Sequence, residues 1–307
     1  MDDRRRGSRS RRLTLAAAAA FVLLASGASA QTFETVGVRA QGMAGAFVAV
    51  ADDATATWWN PAGLAAGPFA NLVLDYSETD DAPTNPISRG IAFGYPALGL
   101  SYYRLPVNQF RVLSSTAGSA IGREDQGVLT QFGTSVSQSI GRHFVLGTTV
   151  KLLHAAETET EFDVGAALSY GVLRVGATLR NLREATLATD AGDVLQLERQ
   201  VRVGVAFTGH TKGQIDTATL AFDADLLTFH SVYGEERRAA GGGEIWTKGR
   251  VIGLRGGISA NTVGDSFVSA SGGASIALHH GIYIEGQITR GSDQSRQGWS
   301  AGLKLTF

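Results

Sequence analysis

The residues of this sequence that could do chemistry are six histidines, a set of charged residues at alternate positions, and an Arg and two Asp near the N-terminus. His143, His154, His210, His230, His279 and His280 stand at no fixed spacing from an activated serine, and the sequence has no G-x-S-x-G element. His279-His280 reads as a surface turn, because adjacent residues at a strand end do not chelate one metal. The chain has no cysteine, which excludes thiolate nucleophiles, thiolate metal sites and a disulfide scaffold. Gly37, Gly42 and Gly45 are not followed by Lys-Ser/Thr, so they do not form a phosphate loop. The expectation is a protein that is not an enzyme, with no cofactor and no metal. What remains is ion pairing.

The charged residues lie on segments that alternate with a period of two. Trp299, Ala301, Leu303, Leu305 and Phe307 are apolar between Ser300, Gly302, Lys304 and Thr306; Val201, Val203, Val205 and Phe207 alternate with Arg202, Gly204, Ala206 and Thr208. Such alternation marks strands with one apolar and one polar face. Fourteen segments of this kind fall near 69–77, 88–95, 98–104, 127–139, 143–155, 160–170, 172–181, 194–208, 216–225, 236–247, 250–259, 267–278, 281–290 and 298–307. Short and longer connections alternate between them. An even strand number, with short turns on one side and longer loops on the other, predicts an all-β, antiparallel transmembrane barrel of the outer-membrane type. Tyr95, Phe144, Tyr170, Phe207, Trp246 and Phe307 beside the short turns would form one aromatic girdle. Tyr76, Phe229, Tyr233, Phe267 and Trp299 would form the other.

A barrel with an apolar exterior turns its polar face to the lumen. That puts Lys151, Glu161, Asp163, Arg174, Arg180, Arg202, Asp223, Asp225, Arg255, Glu285 and Lys304 inside, six basic against five acidic. The balance points to a paired network rather than an ion-selecting pore. Many of the 39 glycines share this register, among them Gly147, Gly165, Gly176, Gly204, Gly253, Gly298 and Gly302, and would leave room for something inside.

Residues 1–30 carry six arginines, an apolar run from Leu13 to Ala25 and then Ala28-Ser29-Ala30. This is the pattern of a cleaved secretory signal. Its removal takes the formal charge from −1 to −5. Near-neutral charge argues against a nucleic-acid partner. The expected setting is the outer membrane of a diderm bacterium, with outer-membrane lipid as the first partner.

Residues 31–66 do not alternate and read as a compact plug of turns and helix. Within them, Arg39 to Phe47 reads R-A-Q-G-M-A-G-A-F, Ala51 to Asp53 reads A-D-D, and Asn60 to Leu64 reads N-P-A-G-L. This stretch resembles the N-terminal signature of the FadL/PorV-type outer-membrane family, closer to its PorV/PorQ-like branch. The visible departure is Ala44, where the family commonly has Gly. The resemblance continues at 163–170 (D-V-G-A-A-L-S-Y) and 173–182 (L-R-V-G-A-T-L-R-N-L). It implies a fourteen-stranded barrel (67–307) with an N-terminal hatch (31–66) plugging the lumen.

The hatch residues singled out are Arg39, Gly42, Gly45, Asp52, Asp53, Asn60 and Pro61. Arg39 and Asp52 or Asp53 would pair with the charged wall. Phe47, Trp58, Trp59 and Leu64 either line a site for a hydrophobic or detergent-like ligand or pack the plug against the barrel; one indole N–H at least needs a buried acceptor. Two functions follow from the family: passive passage of small hydrophobic molecules, or a non-transporting accessory barrel that docks a secretion-system or envelope protein. At 277 residues after the signal, the chain is short for a fatty-acid transporter.

Overall fold

The computed structural model describes residues 36–80, 86–106, 111–114, 128–188, 194–211, 213–231, 234–291 and 297–307. The expected signal segment 1–30, residues 31–35 of the expected hatch, and Tyr233 lie outside them. Fourteen strands close into an antiparallel barrel: β1 (Asn71–Thr79), β2 (Ile87–Tyr95), β3 (Leu98–Pro106), β5 (Val128–Ile140), β6 (Phe144–His154), β7 (Thr158–Tyr170), β8 (Leu173–Arg180), β11 (Gln200–His210), β12 (Ile215–Asp225), β15 (Arg238–Thr247), β16 (Ile252–Asn261), β17 (Val268–His279), β18 (Ile282–Gly291) and β19 (Gly298–Thr306). Each pairs with its neighbour in sequence along the barrel. The ring is shut by β1 against β19, from Asn71 opposite Thr306 to Thr79 opposite Gly298. Closure leaves no sheet edge, so every backbone group of the wall is satisfied without water, as a membrane requires.

Each of the fourteen alternating segments corresponds to one barrel strand. One is corrected in extent: 194–208 is not continuous. Val194–Gln196 is a separate strand, β10, which pairs with β9 (Thr186–Ala188) and β4 (Arg111–Ser114) in a small sheet at the long-loop end. The chain joins the barrel only at Gln200. A second small pair, β13 (Phe229–Ser231) with β14 (Gly234–Glu236), stands in another long connection.

The outward face is apolar: Leu100, Leu152 and Ile284 are 46%, 46% and 49% exposed, and many similar side chains surround them. That much exposed aliphatic surface suits hydrocarbon and not water. No helix among the described residues is long and apolar enough to cross a membrane. Two expected girdle residues are elsewhere. Trp246 and Phe229 are buried, at 3% each, because Trp246 shares the inward register of Glu244, and Phe229 packs under the Arg238 guanidinium, 4.8 Å from its ring centre.

Residues 36–66 are folded within the ring, with nearly every side chain buried. They form two single-turn helices, Val38–Gly42 and Ala56–Trp59, and a 3-10 helix, Pro61–Ala66. The inward glycines receive them. A Cβ at Gly176 would stand 2.6 Å from the Val48 carbonyl oxygen, and one at Gly302 would stand 2.9 Å from Val38. At Gly147 and Gly165 it would run into Pro61 and Asn60.

Candidate functional site

Besides hydrogen bonds of Gln41 with Ser77 and Gln287, of Ala54 with Asn71 and of Thr57 with Thr149, three ties between hatch and wall differ in kind. The first is ionic and centres on Arg39. Its guanidinium is shared between hatch and wall: Nη1 donates to Asp52 at 2.5 Å and to Asp53 at 3.4 Å, while Nη2 and Nε donate to Glu244 of β15 at 2.7 and 3.0 Å. The wall extends the chain of charge, with Arg255 of β16 lying 3.4 Å from Glu244 and 3.6 Å from Glu285 of β18. Asp53 is held from the other side by Lys304 of β19 at 3.4 Å and accepts from the Thr55 amide and hydroxyl. Burial alone would raise the Asp53 carboxyl. Lys304, Arg39 and the Thr55 donors outweigh it and hold Asp53 well below the usual carboxylate range. Burial likewise opposes the Arg39 charge, but Asp52, Glu244 and Asp53 raise its proton affinity well above the ordinary value.

The second tie is a carboxylate under backbone amides. Asp223 of β12 accepts from the N–H groups of Phe47 at 2.9 Å and Val48 at 2.8 Å. The third is Asn60. Its carbonyl oxygen accepts from the Ala62 amide and starts the 3-10 helix, with Pro61 in the first position, where its missing N–H costs nothing. Its amide donates to the carbonyls of Val48 and of Ala166 on β7, at 3.0 and 3.1 Å. Gly42 and Gly45 act by shape: a Cβ at Gly42 would meet the Arg255 side chain at 2.7 Å, and Gly45 has φ 81°.

Most of the remaining wall charges that the sequence placed inside are paired as well, whereas Asp75 of β1 is buried without an ion pair among the described residues. Lys151 lies 2.7 Å from Asp163 and donates to Asn181; Arg180 lies 3.9 Å from Asp163 and covers the Trp58 ring, also at 3.9 Å. Arg202 donates to Asp225 at 2.6 Å. Arg174 is the most exposed of the set, 4.0 Å from the partly open Asp52. The structure therefore brings the expected charge network together and adds Glu244. That residue sits on the polar register, but the preceding Ala-Ala-Gly-Gly-Gly hides the alternation.

The four apolar candidates pack tightly. Phe47 meets Trp59 edge-on at 5.8 Å and Trp58 meets Tyr103 of β3 at 5.4 Å; Leu64 is 3% exposed. The Trp59 indole donates to the Val36 carbonyl at 3.1 Å. Beside Trp59 lies a cavity of about 10 Å³, bounded by Val48, Thr178, Arg180, Gln200, Arg202 and Asp225. It has room for roughly one water molecule. These side chains thus fill the plug in the observed conformation.

Toward the long loops, residues 181–188 and 194–199 form a cap. Glu161 of β7 fastens this cap by accepting from the amides of Arg183 at 2.7 Å and Ala185 at 2.9 Å. Leu187 and Leu197 close over Leu129 and Leu153 of the wall.

Comparison with known proteins comes from two sides. Residues 153–225 match a family model described as "F plasmid transfer operon, TraF, protein". No curated protein sequence matches the chain. Among solved structures, the "CymD monoaromatic hydrocarbon channel" superposes with a TM-score of 0.59 at 11% identity, covering 90% of this chain and 99% of that one. The Ralstonia pickettii toluene transporter TbuX gives 0.60 at 13% identity over the same shares. A Pseudomonas aeruginosa FadL homologue gives 0.57 at 12%, covering 92% and 100%. At these identities the likeness is one of fold, and the fold is the fourteen-stranded barrel of FadL-like channels.

Proposed function

We propose that this chain is an outer-membrane barrel of a diderm bacterium, exported with loss of residues 1–30, that lets small hydrophobic molecules pass without covalent chemistry. The observation that carries this reading is a closed, lipid-suited barrel whose lumen holds a hatch joined to the wall by polar side-chain bonds rather than by strand pairing. The fold shared with the hydrocarbon channel and toluene transporter supports it. Because the hatch residues Phe47, Trp58, Trp59 and Leu64 fill the plug, passage requires the hatch to shift and turn these side chains toward a ligand. The test is flux of α-methylstyrene into liposomes holding the full chain, against empty liposomes. Saturable, protein-dependent flux is expected; none at any protein density would overturn the reading.

A second reading has its own observation. The match of residues 153–225 to a transfer-operon family favours an accessory barrel, of the PorV-like kind, that docks an envelope or secretion protein. A stoichiometric partner captured from the same envelope, together with unchanged uptake in a deletion strain, would select it.

A further inference from the structure

The capped end of the lumen carries an apolar patch in which one side chain, Gln131, is an amide. Leu105 of β3 stands directly opposite Leu129 of β5, and Tyr103 stands opposite Gln131; Gln131 in turn faces Leu153 of β6. All of these residues point inward and are at most 2% exposed. Leu187 and Leu197 of the cap, at 0% and 3% exposure, pack on the Leu129 and Leu153 part of this surface, while Tyr103 and Leu105 pack with the hatch core. The Gln131 amide nitrogen is buried among them and has no hydrogen-bond acceptor. Its polar neighbour Lys151 is already engaged with Asp163 and Asn181. Leaving a buried amide donor unpaired carries its full desolvation penalty, which an apolar residue of the same shape would not. A glutamine on a leucine wall is therefore suited to a bound acceptor.

We infer that Leu129 and Leu153 with Gln131 form the receiving site for a small apolar molecule carrying one hydrogen-bond-accepting oxygen, and that Leu187 and Leu197 occupy it until such a molecule displaces them. The inference rests on the passage reading above and narrows its substrate class. The apolar body replaces the two cap leucines at little cost, since one aliphatic surface is exchanged for another. The oxygen supplies what the leucines cannot, an acceptor for Gln131 Nε2. A site built to donate a hydrogen bond discriminates against an isostere that lacks the acceptor.

Acetophenone and α-methylstyrene test this, because they share a frame and differ in C=O against C=CH₂. Calorimetric titration of the full chain in detergent, with empty micelles subtracted, should show acetophenone binding about tenfold more tightly, the size of one buried hydrogen bond. Gln131→Met should erase that preference without weakening α-methylstyrene, and it should not lower thermal stability, since it removes an unpaired donor. Replacing Leu187 and Leu197 with Ala should tighten both probes severalfold. Equal affinities in the wild type, a preference that survives Gln131→Met, or cap variants that bind as the wild type does would each overturn the inference. Flux of α-methylstyrene without a ketone preference overturns this inference alone, while absent flux overturns the reading beneath it.

Discussion

Ala44 holds φ at 55°, in the left-handed region that favours glycine, between the first hatch helix and Gly45. It is also the position at which the sequence departs from the FadL/PorV-type signature, so a compositional oddity coincides with a strained backbone. A non-glycine residue there costs about 1–2 kcal/mol, partly offset by the entropy a glycine loses on folding. Ala44→Gly should accordingly stabilise the protein by about 0.5–1 kcal/mol, read as a shift of the denaturant midpoint with an unchanged slope. Loss of stability would mean that the methyl, which is buried, packs better than the backbone is strained. Glu244 shows the opposite case: it is unremarkable in sequence, yet it takes two hydrogen bonds from a residue 205 positions away.

Between elements, the hatch and the sheet meet through bonds of unequal kind. The helix Val38–Gly42 lies against β16, β17 and β18 and is tied to β15 by Arg39–Glu244, while Asp53, farther along the hatch, is tied to β19 by Lys304. The Asn60 end is held to β7 by uncharged hydrogen bonds. Removing one partner of a buried ion pair strands the others, at about 3–5 kcal/mol, whereas removing both is far milder. Arg39→Ala should therefore loosen the Val38–Gly42 half while the Pro61–Ala66 half stays protected, and Arg39→Met with Glu244→Leu should restore much of the loss. Amide hydrogen exchange resolves the two halves. Uniform deprotection of residues 36–66 would count against two separable anchors.

On the scale of the molecule, barrel and hatch rest on different forces, and acid separates them. The barrel is closed by backbone hydrogen bonds that do not titrate. Asp53 ionises more readily in the fold than in the unfolded chain, so its contribution is complete above the unfolded value of about 4 and is lost as pH falls below it toward the depressed folded value. Hatch protection should then decline below about pH 4 while the strand signal in circular dichroism persists; loss of both together would show that the barrel depends on its plug. The sequence by itself determined the fourteen strands, their two faces, the inward charges and the inward glycines, because a period of two is a local property and the membrane forces the apolar face outward. Part of the hatch chemistry was legible too, since Arg39 was expected to pair with acids. Only the tertiary structure decided that Arg39 takes Glu244, that segment 194–208 splits between cap and wall, that Trp246 turns inward and Phe229 is buried in its connection, and that the Gln131 amide nitrogen lies unpaired beside leucines. Those outcomes depend on which strands stand opposite one another across a closed ring, and residues hundreds of positions apart carry no local signal of that.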